Sequence, residues 1–306
     1  MRRAALAAAA ASLVARRARA QAGGADPTDD ALDSAAARIA SARRVVAFTG
    51  AGVSAESGIR TYRDATAGTG VWDGLVGQLG MLLFGTKVGF LFFPRTAWRL
   101  YADRLLGPIR AAEPNGGHVA IARLADEVEG GVPVITQNID GLHQRAGSIR
   151  VLELHGTCAS HRHAWTGAPV EVASVDSPPA LFTRPDVVLF FEGMPPAFWR
   201  AAALVDELGE GDVLLVVGTS CAVAPACTLP YAAMSNGAHV IEVNLERCLA
   251  DDVPIDPGDN GRPVMAYGPY KDLARQQTLL RGAASAVLPL LLERVREAKR
   301  RRGHAD

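Results

Sequence analysis

Apolar residues gather in six short runs along the chain: 45–49 (VVAFT), 132–137 (VPVITQ), 151–154 (VLEL), 187–191 (VVLFF), 212–218 (DVLLVVG) and 239–243 (HVIEV). Several are apolar at every position, as strands covered on both faces must be. Helix-like segments separate them, over 29–42, 98–109, 118–128, 197–208 and 279–299. Thr28 or Asp29 can cap the first. Strands alternating with helices predict an α/β fold with a doubly wound parallel sheet. Two segments break the alternation. Residues 66–94 are glycine-rich and apolar, and 159–184 are polar with several prolines. Both read as insertions that together form a second, smaller module beside the sheet.

Composition narrows what such a domain binds. Of 306 residues, 32 are basic and 32 acidic, and about half are apolar. That length buries a large core. A net charge of zero leaves no electrostatic footprint for DNA, RNA or an anionic membrane, so neither is expected as a partner. The basic run 299–302 reads as a solvated helix end. The apolar stretch 79–93 holds Lys87 and three glycines and is shorter than the roughly 20 residues of a bilayer span. Four scattered cysteines (Cys158, Cys221, Cys227, Cys248) make no disulfide framework and suit a reducing compartment. The first 22 residues hold five arginines and no acid, the pattern of an organellar transit peptide. A mitochondrial location is therefore expected. A disordered tail on a cytoplasmic protein and a secretory signal are the alternatives. The oligomeric state is left open.

The chemistry begins after the first run, in FTGAGVSAESGIRTYRD (48–64). Gly50-Ala51-Gly52-Val53-Ser54-Ala55 satisfies G-x-G-x-x-G/A, a turn whose backbone N–H groups approach a pyrophosphate. A hydride-transfer enzyme needs an acid ending the second strand about 20 residues on. That distance falls in TAGTGVWDG, where Asp73 is present but no strand leads to it, and the hydride-transfer reading loses support. Gln137, Asn138 and Asp140 lie just past a buried run, where open α/β sheets place their ligands. His155 ends the run VLEL, and imidazole accepts a proton near neutral pH.

In order along the chain, these segments resemble the signatures of the sirtuins, the NAD-dependent protein deacylases. GAGVSAESGIRTYR resembles the first, TQNIDGLHQRAG (136–147) the second, and LELHGT (152–157) the third, with its catalytic histidine. VGTSCAVAPA (217–226) matches the fourth, VIEVNLE (240–246) the fifth, and LLRGAASAVLPLL (279–291) the C-terminal helix. The likeness spans roughly residues 36–295. It implies a Rossmann-like core in a deacylase domain at 28–299, its small module drawn from about 66–94 and 157–184. Residues 1–27 then form a targeting or disordered segment and 300–306 a basic tail.

The resemblance also implies a reaction. NAD is consumed as co-substrate, the partners are acylated lysine side chains of proteins, and nicotinamide and O-acyl-ADP-ribose are released. His155 accepts a proton from a ribose hydroxyl, and Asn138 and Asp140 line the nicotinamide pocket as further catalytic residues. Gly50, Ala51 and Gly52 face the pyrophosphate, and Gly218, Thr219, Ser220 and Asn244 the adenosine side. Ser54, Arg63 and Gln137 complete the cofactor site, Arg63 near the nicotinamide ribose.

WRLYADR (98–104) places Tyr101 and Arg104 at i and i+3 of one helix, where the desuccinylase subclass carries Tyr-x-x-Arg. A phenol and a guanidinium there imply a preference for succinyl, malonyl or glutaryl lysine. Ordinary surface salt bridges are the alternative for both residues. Val187, Phe190 and Glu192 fall on the substrate side.

The chain departs from the family in three places. Most sirtuins carry two Cys-x-x-Cys pairs after the histidine. CASHRH (158–163) offers only Cys158, His161 and His163, so no structural zinc is expected. The first signature's proline and phenylalanine are Arg60 and Tyr62. The glycine of the family's F-G-E loop is Phe191. Two further activities stay open: an ADP-ribosyltransferase or NAD hydrolase with a poor peptide groove, and a non-catalytic NAD-responsive binding module.

Overall fold

A computed structural model describes residues 27–60, 85–172, 181–249 and 276–303. Its strands are β1 (Val45–Thr49), β2 (Val134–Thr136), β3 (Val151–Glu153), β4 (Gly156–His163), β5 (Pro169–Val170), β6 (Thr183–Val187), β7 (Val213–Val217), β8 (His239–Asn244) and β9 (Gln277–Arg281). Its helices are α1 (Asp29–Ser41), α2 (Gly52–Ala55), α3 (Lys87–Phe92), α4 (Pro94–Tyr101), α5 (Gly107–Ala111), α6 (Gly116–Leu124), α7 (Leu142–Arg145), α8 (Pro196–Asp206), α9 (Thr228–Ser235) and α10 (Ala284–Arg302). A π-helical turn, Ala102–Leu106, joins α4 to α5.

Six strands form one parallel sheet in the order β3-β2-β1-β7-β8-β9. The order runs outward from the middle in both directions, the topology of a doubly wound dinucleotide-binding fold. Alternate residues of β1 and β7 serve opposite faces. Val45, Ala47, Val213, Leu215 and Val217 pack against α1, α6 and α10, and Val46, Phe48, Leu214 and Val216 against α8 and α9. Burial on both sides is why these runs are apolar throughout.

The helices start where their side chains dictate. Thr28 Oγ1 accepts from Ala31 N at 3.2 Å, and α1 buries Leu32, Ala35, Ala36 and Ile39 along one stripe. Asn115 caps α6 while His118 Nδ1 accepts from the Asn115 N–H, a reciprocal capping box. The basic run closes α10, where positive charge suits a helix C-terminus. Among the described residues no helix is long and apolar enough to cross a membrane.

A second sheet, antiparallel with order β5-β4-β6, packs with α3, α4 and α5 around Phe90, Trp98, Tyr101, Ile109, Cys158 and Val187. It is the smaller module. Two expectations need correction here. The run 187–191 is not a strand of the main sheet. The strand is β6, and beyond it Val188 N donates to His155 O, Phe190 N donates to Gly85 O, and Phe190 forms an isolated bridge with Thr86. Residues 277–281 form the edge strand β9, not the start of a helix, and α10 begins only after Gly282 (φ +147°). The Arg-rich leader, Tyr62, Arg63, residues 66–84 and residues 304–306 lie outside the described residues.

Candidate active site

β1 and β7 are neighbours, but the chain continues from them toward opposite edges of the sheet. At such a switch point a crevice opens beyond the C-terminal strand ends. Both strands end there in glycine turns. Gly50 N donates to Val217 O at 3.0 Å, and Gly52 N to Gly218 O at 2.7 Å. A Cβ on Gly52 would stand 2.7 Å from the Gly218 oxygen, and one on Gly218 (φ +57°) 2.3 Å from Val53 N. The turns touch backbone to backbone, so these glycines serve that contact as well as any approach to a ligand. Thr219 Oγ1 accepts from Gln137 Nε2 at 2.9 Å, and Asn244 Nδ2 donates to Thr219 O at 2.8 Å. The ends of β2, β7 and β8 are thereby tied together. Ala51 is half-buried and Ser220 exposed at the rim.

Under the first turn lies a polar network. Ser54 Oγ donates to Asp140 Oδ2 at 2.8 Å and accepts from Asn138 Nδ2 at 3.0 Å. Asn138 Nδ2 also reaches Gly50 O at 3.1 Å, and Asp140 Oδ1 accepts from Leu142 N at 2.9 Å. Because the Ser54 proton goes to Asp140, His118 Nε2, 3.3 Å from Ser54 Oγ, is a donor. Thr49 Oγ1 donates to Thr136 Oγ1 and in turn takes the His143 Nε2 proton, both at 2.9 Å. The two imidazoles meet edge to face, centroids 4.9 Å apart. Burial lowers the His118 pKa to about 4, against the pull of Asp140. Burial, with His118 beside it, lowers that of His143 to about 3. Both rings are neutral at physiological pH. Neither was read from the sequence as part of the site. Its one signal was the capping spacing Asn115-x-x-His118.

His155 follows β3 and is half-buried. Its Nδ1 lies 2.8 Å from Gln137 O. A carbonyl only accepts, so Nδ1 carries the proton and Nε2 keeps a free lone pair. Burial lowers its pKa, partly offset by the Gln137 carbonyl.

The substrate-side residues divide. Tyr101 is 1% exposed, its ring 5.4 Å from Trp98 and 6.2 Å from His161. Arg104 is half-buried within the π turn. That turn winds more residues per revolution than an α-helix, so the i, i+3 stacking expected of the pair is altered. Val187 is buried with Tyr101 in the small core. Phe190 and Phe191 turn outward, and Phe191 is 95% exposed with φ +70°. Glu192, expected on the substrate side, turns inward. Its oxygens take Arg184 Nη1 at 2.5 Å, Arg184 Nη2 at 2.7 Å and Leu189 N at 3.0 Å.

The Sir2 family model matches residues 50–225, from the first glycine turn to the loop after β7. The chain belongs to the Sir2 family. An NAD-dependent protein deacylase 2 of Pyrobaculum aerophilum is 40% identical over 276 residues, 86% of this chain and 96% of its own. An NAD-dependent protein deacylase of Mycobacterium tuberculosis is 41% identical over 215 residues, 66% of this chain and 86% of its own. The solved structure of a Sir2 homologue with NAD matches with TM-score 0.67 at 31% identity, over 90% of this chain and 97% of that one. A Sir2 structure bound to a myristoylated histone peptide matches with TM-score 0.60 at 30% identity, over 90% and 100%.

The strand after the histidine, β4, carries Cys158, His161 and His163. Cys158 is buried beside Tyr101, and burial pushes its thiol up to about 12. His161 packs on Trp98, and His163 stands edge-on to Phe182. Among the described residues no three His, Cys, Asp or Glu side chains are grouped to hold a metal. Packing holds the module together, with the Arg184–Glu192 pair at its margin.

Proposed function

We propose that this Sir2 protein is an NAD-dependent protein-lysine deacylase whose preferred acyl groups end in a carboxylate. The observation that carries the catalytic reading is the Nε2 lone pair of His155, whose ring is held by Gln137 O one residue before Asn138 of the Ser54–Asn138–Asp140 network. The donor set suits the dinucleotide: amides, hydroxyls and one carboxylate at strand ends, under glycine turns. Gly50 to Gly52 would lie along the pyrophosphate, Gly218 to Ser220 and Asn244 along the adenosine side, and Asn138 and Asp140 at the nicotinamide. Bound NAD supplies an electrophilic ribose carbon with nicotinamide as leaving group.

The protein's own part is to bind, orient and move one proton. Ser54 fixes the Asp140 carboxylate and the Asn138 amide together, so neither spends a rotamer search when ligand arrives. Gln137 O holds the His155 ring in the tautomer whose Nε2 accepts. The lowered His155 pKa keeps that nitrogen bare below the ordinary 6.5, so the acid limb of kcat/KM falls below that value.

Support for acidic acyl groups is the buried Tyr101 with the half-buried Arg104 on the following turn. A guanidinium meeting a substrate carboxylate makes a charge-assisted contact worth about 1.5–3 kcal/mol. Arg104→Met therefore costs about 10- to 150-fold in kcat/KM for succinyl-lysine and leaves acetyl-lysine unharmed. A matched panel of succinyl, malonyl, glutaryl and acetyl peptides with NAD, read by mass spectrometry, tests both parts. No acyl loss from any peptide, in protein that binds NAD, ends the deacylase reading. ADP-ribose on protein, or free in solution, would name transfer or hydrolysis instead. Equal slowing of succinyl and acetyl substrates by Arg104→Met ends the acyl preference.

A further inference from the structure

Beyond the reaction itself, the structure assigns Cys221 and Cys248 as an oxidative modification site: a dithiol that a hydroperoxide converts to a disulfide, weakening the hold on NAD. Cys221 follows Ser220 in the loop after β7, and Cys248 lies in the segment after β8. Their sulfurs are 3.4 Å apart, with Cys248 Sγ–H donating to Cys221 Sγ. Both are half-buried, so a small oxidant reaches them while the surrounding backbone keeps them paired. Cys227 stands near Cys221 at the start of α9, and Cys158 is remote in the small core.

What sets the pair apart from two chance neighbours is the ring of hydrogen bonds it closes. Cys221 N donates to Thr219 Oγ1 at 3.1 Å. Asn244 Nδ2 donates to both Thr219 O, at 2.8 Å, and Glu242 Oε1, at 3.0 Å. Glu242 Oε1 accepts from Cys248 N at 2.6 Å. The circuit Cys221–Thr219–Asn244–Glu242–Cys248 thus returns to Cys221 through the two sulfurs, and Thr219 and Asn244 belong to the glycine-turn cradle. Cys221 is also held at φ +48°, a left-handed conformation that non-glycine residues seldom adopt. A disulfide needs its sulfurs about 2.0 Å apart, so closure draws them together by about 1.4 Å from 3.4 Å. That displacement falls on a strained residue two positions from Thr219.

The chemistry balances with the oxidant named. Cys248 Sγ–H donates to Cys221 Sγ, and that bond, burial and the nearby Glu242 keep the Cys248 proton in place, which leaves Cys221 as the attacking sulfur. Cys221 sulfur gives up its proton and attacks a peroxide oxygen; the O–O bond breaks, a sulfenic acid forms, and the departing oxygen takes up that proton and leaves as water or alcohol. Cys248 sulfur then attacks that sulfur, the S–O bond breaks, and water leaves with the Cys248 proton. Two thiols are oxidised and one peroxide reduced. Disulfides in reducing compartments are characteristically transient and redox-sensing.

The test treats the full chain with a small excess of hydrogen peroxide. Peptide mapping reads the linkage, and calorimetry with NAD reads the affinity. A Cys221–Cys248 bridge is expected in wild type and in Cys227→Ser, reversed by dithiothreitol, and absent in Cys221→Ser and Cys248→Ser. Oxidation is expected to raise the Kd for NAD about fivefold or more, the lower end of ordinary coupling between sites, only where the bridge forms. No bridge, a bridge to Cys227 instead, or an unchanged Kd in bridged protein overturns the proposal. The effect on NAD rests on the functional reading above. Reduced protein that fails to bind NAD would refute that reading, whereas reduced protein that binds it and never bridges refutes only this one.

Discussion

The Arg184–Glu192 pair fastens the loop that carries Phe190 and Phe191, and its removal is a quantitative test of how the small module holds together. Arg184 is 3% exposed. Its guanidinium meets both Glu192 oxygens and also donates to Val187 O at 2.7 Å. Glu192→Ala strands a buried guanidinium, for which breaking a buried pair typically costs 3–5 kcal/mol. A quarter of the Glu192 side chain is exposed, so water can reach the vacated site and the cost falls at about 3 kcal/mol. Replacing both partners, Arg184→Met with Glu192→Leu, removes the stranded charge as well and stays within about 1 kcal/mol of wild type. Urea unfolding at pH 7 measures both variants. The pH dependence has a definite sign. Burial alone would raise the Glu192 pKa, but the hydrogen bonds and charge of Arg184 outweigh it and hold the carboxyl below 4.5. The contribution is therefore complete above about pH 4.5 and lost as pH falls through the lowered folded value. If Glu192→Ala costs under about 1 kcal/mol, or the double variant is no more stable than the single one, the pair is an ordinary surface bridge. In that event it does not position the loop.

Three further outcomes follow from geometry already described. Gly218→Ala places a Cβ 2.3 Å from Val53 N at φ +57°, and should destabilise by more than about 2 kcal/mol in urea unfolding and abolish NAD binding. Phe191→Gly removes a ring that is 95% exposed at φ +70°; relief of left-handed strain (about 1–2 kcal/mol) exceeds the glycine's added chain entropy, so Tm should rise slightly by calorimetry. Acid should destabilise the fold through His118 and His143. Their folded pKa values are depressed, so the unfolded chain binds more protons between pH 6.5 and about 4, and stability falls as pH falls through that window. The His118 shift alone, from 6.5 to about 4, corresponds to about 3 kcal/mol, readable as the difference in urea midpoint between pH 7 and pH 4.

The main sheet was legible where a strand's surroundings are symmetric. β1, β7 and β8 are covered on both faces, so their apolar runs point to strand in any register. β9 was not legible, because a strand that pairs, among the described residues, only with β8 tolerates Gln277 and Thr278, leaving its leucines to read as helix. The run 187–191 misled for the opposite reason. Val187 and Leu189 are apolar because they enter the small core, not because they extend the sheet. Meanwhile β6 hides a buried arginine whose partner lies eight residues on. No local pattern announces a buried charge that is neutralised by a loop.

The site was legible for a related reason, and its hidden half explains how the visible half works. Gly50, Asn138, Asp140 and His155 each sit at a strand end, so the strand pattern that places one places all of them on a single rim. His118 and His143 reach the same rim through contacts 64 and 94 residues apart in sequence, which only the folded chain reveals. Two imidazoles with centroids 4.9 Å apart cannot both be charged in a buried setting. Held neutral, they act as hydrogen-bond donors under Ser54 and Thr49 without bringing a cation to Asp140. A charged His118 would neutralise the Asp140 carboxylate before any ligand arrived. On the proposed function, a neutral one would leave that negative charge for the nicotinamide end of NAD. The depressed imidazole pKa values that weaken the fold in acid are thus what keep either histidine from bringing a cation to Asp140 at neutral pH.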